Sequence, residues 1–216
     1  PGRPRMKNTG DFGRLLPHSP IVGPLYDVIL ADPPWKFSTW SPRGNGKGPE
    51  RHYPTMTLDA LRALEVNRLA ADNCALFLWA CWPSIFRDVP GLLESWGFEY
   101  RSCAFLWVKA NRSGSGFFTG LGYYTRANTE PCLLAIKGKM PVAAHDVPQV
   151  LYSPVQGHSQ KPADQYNRIE RLYPGRRYLE LFARRKQPGW SVWGNEVDSD
   201  LVVEYSPTVT RRAYEG

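Results

Sequence analysis

The chain has 216 residues, 42% of them hydrophobic, and a formal net charge of +7. This length and apolar content suit one globular domain with a sizeable core and exclude a disordered chain. No stretch is long and apolar enough to cross a bilayer and no secretory signal pattern opens the sequence, so we expect no membrane association. The positive charge favours a polyanionic partner, although a basic protein without such a partner would have the same composition.

Three segments are expected along the chain. Residues 1–24 are rich in Pro, Gly and basic side chains without periodicity, which predicts a flexible basic tail. Residues 25–198 carry the periodic segments and are expected to form one domain. Residues 199–216 are expected to form a C-terminal tail.

Short apolar runs alternate with helical patterns inside this domain. In chain order, six runs predict buried strands: YDVILA, CALFLWAC, SCAFLWVK, PCLLAIKG, RRYLELFA and WSVWG. Three stretches between them predict helices: TLDALRALEVNRLA, SIFRDVPGLLESWG and KPADQYNRIERLYPG. Strands that alternate with helices predict an α/β fold with a mostly parallel sheet covered on both faces. In such sheets ligands bind beyond the carboxyl ends of the strands.

Caps, prolines and glycines set the expected helix ends. Thr57 is expected to cap the first helix. The second is expected to start at Ser84, with Pro90 breaking or kinking it. The third has Pro162 at its start and Gly175 after its end, which is the usual asymmetry.

Phosphate-loop and metal motifs are missing from the sequence. It contains no GxGxxG and no GxxxxGK[ST], and the glycine-rich GNGKG at 44–48 lies in a polar loop. We interpret that loop as a mobile cover over a site rather than as a phosphate loop. No HExxH or paired-cysteine pattern occurs, so we predict no metal. The four cysteines are interpreted as buried free thiols in a reducing compartment rather than disulfides or zinc ligands.

The first apolar run ends in ADPPW, which places an acid and two prolines at a strand end. Each residue before a proline is held extended, so Asp32 and Pro33 leave the strand stiffly. Neither proline has an N–H to donate, and the carbonyls of Asp32 and Pro33 are expected to stay outside a continuing ladder. The result is a rigid rim that offers a carboxylate and a carbonyl beside the aromatic Trp35.

Two acceptors beside an aromatic ring fit an exocyclic amine on a flat base. Holding both amine hydrogens would favour a tetrahedral nitrogen whose lone pair points at an electrophile. Trp35 is expected to stack the base after it leaves its helix. The alternative reading of the same residues is a strand that stops at two prolines beside a solvated Asp32.

The ADPPW run and the segments that follow it resemble the mRNA-adenosine methyltransferase catalytic-subunit family. The amino-methyltransferase signature of that family is [D/N]PP[W/Y/F]. The similarity extends in order through YDVILADPPW, CALFLWAC, AFLWVK, NTEPCLLAIKG, HSQKP, IERLYPG and YLELFARRKQPGWSVWGNE, from about Leu25 to Asp198. The family uses S-adenosylmethionine and includes prokaryotic and phage members assigned to DNA adenine.

This resemblance implies a Rossmann-like methyltransferase fold with a seven-stranded, mostly parallel sheet. One C-terminal strand is expected to pair antiparallel. The order is permuted, because the catalytic DPPW motif precedes the cofactor-binding strand at YLELFAR. One departure is that FARRKQPGW has no clear glycine turn where a glycine-rich turn is usual.

The site residues are carried over onto matching positions. The catalytic signature is Asp32, Pro33, Pro34 and Trp35. Eight positions are expected to bind S-adenosylmethionine: Asp27 and Val28 at its adenine, Lys161 at its carboxylate, Glu180 and Phe182 at the turn, and Arg184, Asn195 and Glu196 at its ribose. Tyr53 and Glu130 are expected beside the target base.

Several of these positions could instead have an ordinary structural role without any contact to cofactor or substrate. Lys161 could be a surface lysine at a helix start, and Glu130 a solvated turn residue. The run Arg184–Lys186 could face phosphate instead of ribose. Trp107 and Lys109 could be ordinary strand-end residues.

Methyl transfer from S-adenosylmethionine to the six-position amine of adenine in DNA is the function we expect. Three alternatives stay open: the same reaction on RNA adenosine, a catalytically silent nucleic-acid-binding subunit, and transfer to the amine of cytosine. A homodimer or heterodimer also stays open. The expected location is the cytoplasm, with nucleoid association in a bacterium, or the nucleus in a eukaryote.

Overall fold

The computed structural model of the chain describes residues 25–35, 55–120, 122, 124–157 and 160–201. The expected N-terminal tail, the GNGKG loop and Tyr53 lie outside these ranges, as do residues 202–216 of the expected C-terminal tail.

Seven strands and three α-helices follow one another along the described residues, with short 3-10 helices at Val66–Arg68 and Trp82–Ser84. The strands are β1 (Tyr26–Ala31), β2 (Ala70–Trp79), β3 (Glu99–Ala110), β4 (Thr129–Lys137), β5 (Val150–Pro154), β6 (Tyr178–Leu181) and β7 (Trp190–Trp193). The α-helices are α1 (Leu58–Arg62), α2 (Val89–Ser95) and α3 (Asp164–Leu172). Each of the six predicted strands is confirmed, and β5 is a strand that the hydrophobic pattern did not predict.

The strands form one mixed sheet in the order β5-β3-β4-β2-β1-β6-β7. Neighbouring pairs are parallel except β2–β4 and β3–β4, so β4 alone among the described strands runs against the others. The seven-stranded, mostly parallel α/β sheet is confirmed. The expectation of an antiparallel C-terminal strand is wrong, because β7 pairs parallel with β6. The reversal occurs at β4 because the chain returns through residues 111–128 and then pairs antiparallel with β3.

Helices cover both faces of the sheet and explain why its strands are apolar throughout. On β1, Ile29 belongs to a buried cluster with Leu61 of α1 and Leu92 of α2. The next residue, Leu30, points to the opposite face and belongs to a cluster with Ile169 of α3. Because successive strand side chains alternate between faces, a sheet buried on both sides has apolar residues at every position.

The helices are shorter than the sequence predicted. Thr57 caps α1 as expected, its Oγ1 accepting from the N–H of Ala60 at 3.2 Å. Helix α2 begins at Val89, so Pro90 lies in its first turn and initiates the helix instead of kinking it. Helix α3 begins after Pro162, and Gly175 follows its end with φ of 67°.

The four cysteines are free thiols. Cys74 and Cys132 are buried as predicted, whereas Cys81 and Cys103 are only partly buried. Burial raises the pKa of Cys74 to about 12, so its thiol stays protonated at neutral pH. Within the described part of the chain, no helix is long and apolar enough to cross a membrane. In those same ranges, His, Cys, Asp and Glu side chains do not gather into groups of three that could hold a metal ion.

Candidate active site

A cavity of about 600 Å³ opens at the carboxyl ends of β1 and β6. These strands lie side by side, with Ala31 opposite Leu181, so Asp32 and Phe182 leave the sheet at the same edge. The start of α3 and the segment after Phe182 complete the cavity wall. Six of the predicted site residues line it: Asp32, Lys161, Glu180, Phe182, Arg184 and Glu196. This is the edge at which an open α/β sheet is expected to bind ligands.

The Pro-Pro corner is held by backbone hydrogen bonds. The carbonyl of Pro33 accepts from the N–H of Trp35 at 2.8 Å, and the carbonyl of Pro34 accepts from Met56 N–H at 2.9 Å. The stiff corner is as predicted, but the Pro33 carbonyl is already engaged within the chain. Of the four DPPW residues, Asp32 is the one that lines the cavity.

Trp35 is a core residue rather than a stacking surface. Its ring is 8% exposed, and its indole N–H donates to the carbonyl of Trp79 at 3.0 Å. This contact ties the corner to the end of β2. The prediction that Trp35 stacks a base does not agree with the structure, because the ring faces are covered by the core.

Lys161 lies between two carboxylates at the cavity. Its Nζ lies 2.8 Å from each carboxylate oxygen of Asp32 and 3.3 Å from Oε2 of Glu130. Glu130 also accepts from Lys109, which lies next to it on β3. The Lys161 side chain is 9% exposed, so the surface-lysine alternative is wrong, and Glu130 is not a solvated turn residue.

The charges in this cluster set one another's protonation. Burial alone would lower the pKa of Lys161, but Asp32 and Glu130 outweigh it and raise that pKa. Burial opposes ionisation of Glu130 as well, yet the two lysines lower its pKa overall. For Asp32, burial raises the pKa and Lys161 offsets only part of that effect. Lys161 is thus held as an ammonium, and Asp32 depends on it for its charge.

A second ionisable pair lines the wall opposite this cluster. Tyr166 of α3 donates its hydroxyl to Oε2 of Glu180 on β6, at 2.9 Å. Burial raises the pKa of Glu180 to about 7 and, with the adjacent Glu180 charge, raises that of Tyr166. Glu180 therefore titrates near neutral pH inside the cavity.

The turn after β6 replaces glycine with a strained phenylalanine. Phe182 has φ of 63°, a left-handed conformation that is costly for a bulky residue, and its ring packs edge-on against Trp193 at 5.4 Å. Gly194 supplies the space instead, because a Cβ there would lie 2.1 Å from the Ala183 carbonyl oxygen. Strain of this kind is found at ligand sites that the surrounding fold holds in place.

The remaining predicted cofactor positions divide into two groups. Arg184 and Glu196 form an ion pair of 3.6 Å at the cavity rim, with Asn195 next to it in the chain. Asp27 lies at the other end of β1, where it pairs with Arg177, and Val28 is fully buried in the core. Their predicted contact with the cofactor does not agree with the structure, because the length of β1 separates Asp27 from the cavity.

Sequence reasoning missed residues of α3 and β2 that build the cavity. Trp79 donates its indole N–H to Oε1 of Gln165 at 2.7 Å, and Lys161 Nζ lies 5.5 Å from the Trp79 ring centroid. Gln165 is 97% buried, which is unusual for an amide side chain. A polar residue on the apolar face of α3 is the signal that could have identified it.

The MT-A70 family model matches residues 26–196 of the chain. Among curated proteins, the type II methyltransferase M.MunI of Mycoplasma sp is 34% identical over 82% of this chain and 80% of its own length. The N(6)-adenosine-methyltransferase MT-A70-like protein of Drosophila melanogaster is 34% identical over 83% of this chain. The human N(6)-adenosine-methyltransferase catalytic subunit METTL3 is 34% identical over 80% of this chain. The matched part is only 28% of each of these two eukaryotic relatives. With this match across the whole sheet and the DPPW corner at the cavity, the chain belongs to the MT-A70 family.

Proposed function

We propose that this protein transfers a methyl group from S-adenosylmethionine to the six-position amine of adenine in DNA. The observation that carries this proposal is the place of Asp32, which projects from a rigid corner into a cavity and is held there by Lys161. The similarity to a type II methyltransferase over 80% of that protein's length supports DNA as the substrate.

Asp32 holds the amine of the target base. An ionised carboxylate has about four lone-pair sites, and Lys161 uses one on each oxygen. The remaining sites accept the amine hydrogens, which directs the nitrogen lone pair into the cavity. In the reaction the new bond would join this nitrogen to the methyl carbon as the carbon–sulfur bond breaks and the sulfur keeps the electron pair. Asp32 would accept or relay the proton that the amine loses.

The cavity residues fit S-adenosylmethionine in both size and chemistry. A volume of about 600 Å³ lies within the range of small-ligand sites. At the rim, Glu196 would accept from ribose hydroxyls of the cofactor, with Arg184 orienting its carboxylate. The left-handed turn at Phe182 would let backbone approach the ligand closely. When bound, the cofactor supplies an electrophilic methyl group on a sulfonium sulfur.

Lys161 has two roles in this proposal. It keeps Asp32 ionised, and it binds the carboxylate of the cofactor, as the family resemblance implies. The Lys161 ammonium already contacts Asp32 and Glu130, so binding a third carboxylate requires Lys161 to release one contact. Cofactor binding and the freedom of Asp32 are therefore coupled through one side chain.

The chain order supports a permuted methyltransferase fold. Strand β1, which carries the catalytic corner, comes first in the described chain, whereas β6, which carries the cofactor turn, comes second to last. The two strands are nevertheless adjacent in the sheet. We propose that the chain is a permuted form of the fold, with the catalytic half preceding the cofactor half.

Nucleoside analysis of methylated nucleic acid tests this function. The protein is incubated with isotope-labelled S-adenosylmethionine and with matched DNA and RNA oligonucleotides, single-stranded and duplex, which are then digested for mass analysis. Label in N6-methyldeoxyadenosine supports the proposal. Label found only in N6-methyladenosine from RNA would show that RNA is the substrate instead of DNA. Label in N4-methylcytosine would contradict the assignment of adenine as the target base. An absence of cofactor binding in calorimetry would favour the silent subunit.

A further inference from the structure

We propose that Trp82 is the surface on which a base of the substrate strand stacks as the target adenine enters the cavity. This inference rests on the proposed function for its substrate. It replaces the role that the sequence assigned to Trp35, whose buried ring cannot serve it.

Trp82 lies beside the catalytic cluster. It lies three residues after the last residue of β2, at the carboxyl end of the parallel strands, where Asp32 follows β1. Its indole N–H donates to Oγ1 of Thr129 at 3.0 Å, and Thr129 precedes Glu130, the partner of Lys161. The ring is thus fixed to the residue next to the charge cluster.

Three other tryptophans near this edge face the protein interior, and a fourth, Trp193 at the end of β7, is partly buried and packs against Phe182. Trp35, Trp79 and Trp107 are each at least 92% buried, and their indole N–H groups donate to other residues of the chain. Trp82 is 49% exposed, which makes it the most exposed tryptophan among the residues that the structure describes. An aromatic face held in the open costs little entropy to use, because its orientation is already set.

Two exposed arginines lie on a segment that leaves the sheet at the same edge. The segment between β3 and β4 leaves the sheet here, and its described residues include the exposed Arg112 and Arg126. Arginines that contact phosphate beside an aromatic that stacks a base are the usual combination for holding an unpaired strand. The net charge of +7 is consistent with the same partner.

Direct binding measurements with fluorescent oligonucleotides test this proposal without requiring methyl transfer. The probe is a single-stranded dT oligonucleotide with one central adenine, together with versions in which 2-aminopurine replaces that adenine or its neighbour. Trp82→Ala is expected to weaken binding about tenfold, as expected for losing one base–aromatic stack, and Trp82→Phe to retain most of the affinity. The position whose fluorescence is quenched by the wild type and restored by Trp82→Ala tells whether the target or the flanking base stacks.

Tyr100→Ala is the matched control. Tyr100 is 53% exposed, similar to Trp82, but it lies near the start of β3, at the end of the sheet away from the cavity. Its removal is therefore expected to leave oligonucleotide binding unchanged. Equal binding by Trp82→Ala and wild type, an equal loss in Tyr100→Ala, or no binding by the wild type would overturn the proposal. Should Trp82→Ala lose binding while the wild type methylates neither DNA nor RNA, the stacking surface stands and the proposed function fails.

Discussion

Lys161 donates to both carboxylate oxygens of Asp32, with its Nζ 2.8 Å from each. A buried ion pair is weak evidence for stability, because desolvation of the two charges offsets most of their attraction. Its value in this site lies in orientation and charge: the ammonium fixes the carboxylate plane at the end of β1 and keeps it ionised in a buried setting. The pair therefore connects the fold to the chemistry.

Replacing Lys161 is expected to shift the pH dependence of methyl transfer. Burial raises the pKa of Asp32, and Lys161 is the main group that opposes this rise. In Lys161→Met the opposition is lost and the pKa of Asp32 rises further, so a smaller fraction is ionised at a given pH. The acid limb of kcat, measured at saturating cofactor, is expected to move to higher pH. Lys161→Arg keeps the charge and is expected to shift it less; an acid limb that stays in place in both variants contradicts the assignment.

Glu180 is expected to make the protein less stable as pH rises. Its pKa is about 7 in the folded protein, compared with 4.5 for an unperturbed glutamate side chain. Between these two pH values the native state therefore binds more protons than the unfolded state does. The stabilisation from its neutral form is complete below pH 4.5 and is lost as pH rises through 7. Glu180→Gln removes this dependence and keeps an acceptor for Tyr166. Thermal unfolding should show a larger gain in Tm for Glu180→Gln at pH 8 than at pH 5, and an equal difference at both pH values would refute the burial effect.

Trp35→Phe is expected to destabilise the corner without changing nucleic-acid binding. The substitution removes the indole donor and leaves the Trp79 carbonyl without it, which costs roughly 1–3 kcal/mol of unfolding free energy. Urea unfolding measures this loss. The KM for an oligonucleotide should remain within about twofold of wild type, because the buried ring does not stack the base. A tenfold change would require a difference of roughly 1.4 kcal/mol in binding free energy. A large rise in KM with unchanged stability would restore the stacking role for Trp35.

The sequence was most informative where local chemistry decides the structure. The apolar runs and the two prolines after Asp32 have strong backbone preferences, so the strands and the rigid corner followed from them. Strand β5 was missed because it lies at the sheet edge, where Val150 and Tyr152 are exposed and Pro154 ends the strand. Its pairing with β3 depends on tertiary contacts that no local pattern contains.

The residues of the site were harder to place than its strands. Asp27 was assigned through the family resemblance alone, and it lies at the start of β1, five residues before Asp32. The rule that ligands bind beyond the carboxyl ends of the strands placed Asp32 correctly and argues against Asp27. The burial of Trp35 depends on β2, 44 residues away, whose Trp79 carbonyl accepts from it. The pairing of Lys161 with Asp32 spans 129 residues and results only from the adjacency of β1 and α3 in the folded protein.

Removal of the Asp32 carboxylate tests the central claim most directly. Asp32→Ala and wild type are compared for N6-methyldeoxyadenosine formed from labelled cofactor and DNA, with Asp59→Ala, an exposed carboxylate of α1, as the matched control. Loss of the group that holds the amine is expected to lower transfer by at least about 10²–10³-fold, while cofactor binding by calorimetry and the thermal unfolding transition are retained. Asp59→Ala is expected to behave as wild type. Methyl transfer by Asp32→Ala at the wild-type rate would show that this carboxylate does not hold the amine.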